Sequence, residues 1–226
     1  MTGKVLIRRS ARARRLTLRI DAARRCAVLT APERASGKAV AAFLDSHRDW
    51  IGNRLAELPQ AIALVDGALL PFRGRPHRLR HCENAPRRPE LGDGEIRLGG
   101  PPGHVARRLL AWLREMAAHD LAMASAQHAE ALGVTPRRIG VREMRSRWGS
   151  CSARGDLSFN WRLILAPPFV LDYVAAHEVA HLRIRDHGPR FWSLVESRTP
   201  HMAKARSWLK CEGAGLFRYA PPLPGD

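Results

Sequence analysis

The stretch PPFVLDYVAAHEVAHLRIRDHGPRFW, residues 167 to 192, decides how this chain is read. A proline is well tolerated in the first turn of a helix, so the apolar run after Pro167 predicts a helix that starts near Pro168. His177 and His181 then lie on one face, only about 40° apart and one turn apart in height. Two imidazoles so placed can meet a single ion. Glu178 points about 100° away, outside the ion's inner shell but within reach of a water held there. In this H-E-x-x-H arrangement zinc lowers the pKa of its water toward ~7, and Glu178 serves as general base. A coincidental motif of this kind would arise only about 0.02 times in a chain of this composition.

A catalytic zinc needs a third protein ligand and an open position. His187 lies six residues beyond His181 and would face elsewhere on a continuous helix. Gly188 and Pro189 oppose continued regular helix, so a loop there can return the His187 ring to the ion. Glu196, in the next apparent helix, and His201 are the alternatives. Asp172 and Asp186 are candidates to hold an imidazole N–H from behind.

Composition limits what surrounds this site. The chain has 226 residues, 45% of them apolar, enough for one large domain or two small ones. No run approaches the roughly 18 apolar residues of a membrane span, and the charged start MTGKVLIRRSARARR lacks the apolar core of a secretory signal. The expectation is a soluble cytoplasmic protein without membrane contact. Four scattered cysteines, Cys26, Cys82, Cys151 and Cys211, suit free thiols better than a disulfide frame or a four-cysteine zinc site. The formal charge is +17, with 34 Arg against 4 Lys. A compositional bias accounts for Arg over Lys but not for the shortage of acids. Nine basic residues within positions 1 to 25 face only Asp21. That predicts either a solvated basic face or one that contacts nucleic acid, the ribosome or a nucleotide.

Along the chain, KVLIRR, RRLTLRID and RCAVLTAP read as strands of a small antiparallel meander. SGKAVAAFLDSHRDWIGNRLAEL follows as one helix capped by Ser36, and residues 67 to 98 read as a second antiparallel patch. GGPPG at 99 to 103 is the strongest punctuation. It divides a β-rich region with one helix (1 to 100) from a catalytic region (101 to 220), and 221 to 226 form a flexible tail. After the punctuation comes a long helix stopped by Gly133. RRIGVREM and DLSFNWRLILA then read as strands.

RSRWGSCSARGDLSFNWRLILAPPFVLDYVAAHEVAHLRIRDHGPRFWSLVE resembles the signature block of the YgjP-like metal-dependent hydrolases, relatives of the SprT-like and WLM zinc peptidases. RRSARARRLTLRID and FLDSHRDWIGNRL resemble that family's N-terminal hairpin and helix, so the likeness covers nearly the whole chain. It implies an α+β fold with a zincin-like catalytic domain and an N-terminal antiparallel β-rich region. It also implies one Zn2+ held by His177, His181 and His187, with Glu178 as base. Asp186 and Gly188 depart from the family's usual Asn and Ser around the third histidine. By the same resemblance DLSFNWRLIL is the edge strand that pairs with an extended peptide. Arg145 and Arg147 flank a small-residue turn near the site and are expected to bind substrate. Trp148 and Trp161 read as packing residues, and Tyr173 as a structural tyrosine with a second option as oxyanion donor.

The function expected is a zinc-dependent metallopeptidase acting on peptide or protein. Two alternatives remain open: a metal-dependent nucleoside triphosphate pyrophosphatase, and a nucleic-acid or ribosome-associated binding protein with a structural metal.

Overall fold

The computed structural model describes residues 5–21, 24–58, 60–144 and 147–219. It is an α+β fold in two compact units, Met1–Gln60 and Ala61–Asp226. Among the described residues no helix is long and apolar enough to cross a membrane.

The first unit holds β1 (Val5–Ser10), β2 (Thr17–Asp21) and β3 (Cys26–Pro32). The strands fall where the sequence places them, but they do not form an antiparallel meander. The order is β1-β3-β2, with β1 parallel and β2 antiparallel to β3. Burial explains the order: CAVLTAP is the most buried strand and takes the centre, while the arginine-bearing strands take the edges. The single expected helix is two, α1 (Gly37–Ser46) and α2 (Arg48–Ala56). The Ser36 hydroxyl accepts from the Ala39 N–H at 3.1 Å, the cap expected of it. At the break, Ser46 Oγ and His47 Nδ1 both turn back to the Phe43 carbonyl, at 2.9 and 2.8 Å. Side chains competing in this way for a backbone acceptor interrupt a helical ladder.

The second unit begins with β4 (Leu69–Phe72), β5 (Arg75–His81), β6 (Glu90–Gly92) and β7 (Glu95–Leu98). These are two antiparallel hairpins joined by a parallel β5–β7 pairing, in the order β4-β5-β7-β6. Leu70, Phe72, Leu79, Ile96 and Leu98 are buried in the same core as the helices that follow, and Phe72 stacks on Trp112 at 5.0 Å. A division near residue 100 would cut through that core, so the compact-unit boundary falls at Gln60/Ala61 instead.

Next come α3 (Val105–Leu132), β8 (Arg138–Arg142), β9 (Gly149–Cys151) and β10 (Asp156–Asn160). Gly133 ends α3 in the left-handed conformation, φ 61°, as its position predicts. The expected long strand stops at Asn160, and Trp161–Leu165 is a 3-10 turn. The Asn160 side chain accepts from the Arg162 N–H, and all five residues of the turn are buried. Capping and burial thus override the β propensity of WRLIL. The chain ends in α4 (Pro168–Ala180), α5 (Pro189–Arg198), α6 (Met202–Cys211) and a 3-10 turn at Gly213–Arg218.

Candidate metal centre

Helix α4 starts at Pro168, as expected, and is buried on nearly every side, so its position is set by packing all round. It ends at Ala180, and His181 is still helical at φ −65°, ψ −17°. The chain then turns. Asp186 Oδ1 accepts from the Gly188 N–H at 2.8 Å, and Pro189 opens α5. This turn brings His187 Nε2 to 3.2 Å from His177 Nε2. One ring nitrogen each of His177, His181 and His187 lies within 4.8 Å of the others.

The three rings could hold a divalent ion. Nitrogens at 2.0–2.1 Å on a tetrahedral ion stand about 3.3 Å apart, close to the His177–His187 spacing. His181 Nδ1 donates to the Ile184 carbonyl at 3.0 Å, which fixes the tautomer that leaves Nε2 as a lone-pair donor. Burial, with the neighbouring His181 and His187 rings and Arg206, pushes the His177 imidazole down to about 4, so it is neutral at physiological pH. Burial lowers His181 as well. Phe191, fully buried on α5, underlies all three: it stacks on His181 at 4.5 Å and meets His177 and His187 edge-on at 4.9 and 4.8 Å.

Glu178 shares a cavity of about 390 Å³ with these rings, Arg147, Arg185 and β9. Burial pushes its carboxyl up to about 7, against the pull of the Arg147 guanidinium and a hydrogen bond from the Cys151 N–H. Gly149 lies hard against it. A Cβ at 149 would come within 2.5 Å of Glu178 Cγ and Oε1, so the carboxylate occupies the space a side chain would need. The expected edge strand is corrected here. β10 is central, in the order β8-β10-β9, and the edge beside α4 is β9, which the sequence presents as a small-residue turn. Its pairing with β10 is continued by bonds of Asn160 to Trp148 and of Ser152 to Asp156. In antiparallel alternation, Gly149 and Cys151 therefore turn their backbone groups away from β10.

Of the other residues singled out from the sequence, Arg147 is exposed and lines the cleft, whereas Arg145 lies outside the described residues. Glu196 and His201 are not part of the three-imidazole group. Asp172 pairs with the buried His128 at 2.8 Å and Asp186 is used by Gly188, so neither holds a ligand ring. Trp161 is buried and donates to Glu143, whereas Trp148 is half-buried. The Tyr173 ring lies 6.0 Å from that of His177. Phe191, Gly149, the Ile184 carbonyl and the Cys151 N–H carry no sequence signal of their roles.

Three convergent imidazoles that could hold a metal ion and a buried carboxyl line one open cleft. The family model described as YgjP-like, metallopeptidase domain, matches residues 14–212, and the chain belongs to that family. The family implies a divalent metal, and the three-histidine group could hold one. A comparison with curated proteins finds no match. Among solved structures, the metallopeptidase zymogen of Pyrococcus abyssi abylysin is similar over 41% of this chain and 95% of its own, at 19% identity and a TM-score of 0.35. The metallopeptidase zymogen of Methanocaldococcus jannaschii jannalysin is similar over 40% of this chain and 88% of its own, at 17% identity and a TM-score of 0.37.

Proposed function

We propose that the chain is a zinc-dependent peptidase in which His177, His181 and His187 hold one Zn2+ and Glu178 is the general base. The convergence of the three ring nitrogens carries this reading, together with the placement of Glu178 in the same cleft. Neutral nitrogen donors with no thiolate among them suit zinc in an open catalytic site. When bound, the ion polarises the scissile carbonyl and acidifies water. Glu178 takes up the water proton on a carboxylate oxygen and delivers it to the departing amine. The Cys151 N–H orients that carboxylate, and the β9 edge offers backbone groups to an extended peptide. Arg147 on the cleft rim, with Arg145 two residues before it, holds a substrate carboxylate.

The test is a side-by-side activity screen of the zinc-loaded protein and its Glu178→Gln form on mixed peptides and on nucleoside triphosphates. Peptide cleavage lost in Glu178→Gln, with zinc retained in both, is the expected result. Triphosphate hydrolysis lost in the variant, without peptide cleavage in either form, would replace the peptidase reading with a phosphohydrolase one.

A further inference from the structure

The cleft continues past Glu178 into a second cavity of about 240 Å³. It shares Gly149, His177 and Glu178 with the metal cleft, so whatever fills it lies beside the reacting bond. Its remaining walls are largely apolar: Trp148 on one side, Val174 and the Tyr173 ring on α4, and Leu209 on α6. The Trp148 wall is fixed from behind. Its ring packs on Phe217 at 5.4 Å, and a Cβ on Gly213 would come within 3.1 Å of it. Arg147 stands at the border of both cavities and sets a positive potential there.

An extended peptide lying along β9 presents alternate side chains to opposite faces. Gly149 lines both cavities, so a side chain of such a peptide that turns inward beside it meets the second cavity next to Glu178. We propose that this cavity is the specificity pocket of the cleft. It takes a large apolar side chain, such as Leu, Met or Phe, from a residue next to the scissile bond. Leu209 and Trp148 set its size, and Arg147 turns away Lys and Arg. This inference rests on the peptidase reading, and its test separates the two.

Binding without turnover is measured on the zinc-loaded Glu178→Gln protein by intrinsic tryptophan fluorescence. The probes are blocked tetrapeptides that differ only in one central residue: Leu, Ala or Lys. The Leu peptide should give a saturable change that disappears in a Trp148→Phe background, with affinity at least about tenfold above the Ala and Lys peptides. Leu209→Trp should fill the cavity and remove the preference for Leu. Equal affinity for the three peptides would overturn the pocket. So would unchanged Leu binding in a Leu209→Trp protein whose circular dichroism matches wild type. Sequencing the products that the wild-type enzyme makes from a mixed peptide pool gives the second readout. Cleavage with no apolar residue enriched beside the cut overturns the pocket and keeps the peptidase reading. Selective Leu binding with no peptide cut supports the pocket and removes that reading.

Discussion

Replacing Glu178 by Gln should make the metal-free protein more stable at pH 8. Burial raises this carboxyl from its ordinary 4.5 to about 7, so above pH 7 the fold holds a charge that its surroundings disfavour. The native state binds the proton more tightly than the unfolded state. Stability from this group is therefore complete below pH 4.5 and is lost as pH rises through 7. The displacement corresponds to about 3 kcal/mol at pH 8. Glutamine keeps the shape and an acceptor for the Cys151 N–H without the charge. Urea unfolding in chelator should then show Glu178→Gln ahead of wild type by up to about 3 kcal/mol at pH 8, and level with it at pH 4.5. Excess zinc should shrink the pH 8 gap, because the cation offsets the carboxylate. A variant that is no more stable at pH 8, or one whose gain is the same at both pH values, would refute this account of the Glu178 environment.

His177→Ala, His181→Ala and His187→Ala should each leave the purified protein with less than one bound zinc per chain by plasma emission spectrometry. Relative to His177→Gln, the metal-free wild type should lose stability as pH falls from 6.5 toward 4, since the unfolded His177 ring protonates before the folded one; thermal melts of both proteins across that window check it. Gly149→Ala should displace Glu178, costing about 1–3 kcal/mol of stability and most of the activity while zinc binding persists. Phe191→Ala should cost about 3–5 kcal/mol and weaken zinc binding although every ligand remains, as titration calorimetry would show.

The histidine-bearing helix α4 was legible because its signals are local. Pro168 sets the start, the four-residue spacing sets the shared face, and Gly188-Pro189 forces the turn that returns His187. What escaped depends on partners distant in sequence. Gly149-Ser150-Cys151 reads as a turn because its residues are small, but their smallness is what lets β9 lie against Glu178. WRLIL has the composition of a strand, yet it becomes a 3-10 turn because tertiary burial and the Asn160 cap outweigh propensity. The parallel β1–β3 and β5–β7 pairings are invisible to alternation patterns, which report faces and not neighbours. Phe191 looks like any amphipathic helix residue until the three rings it supports are in place. The division placed at GGPPG missed that Leu79, Ile96 and Leu98 share a core with the helices beyond it.

The most direct measurement of the metal centre is X-ray absorption at the zinc edge on protein carrying one zinc per chain. Three imidazoles plus one light, non-protein ligand at about 2.0–2.1 Å is the predicted shell. A sulfur scatterer from Cys151, a fourth protein ligand closing the site, or failure to bind zinc at one equivalent would contradict it.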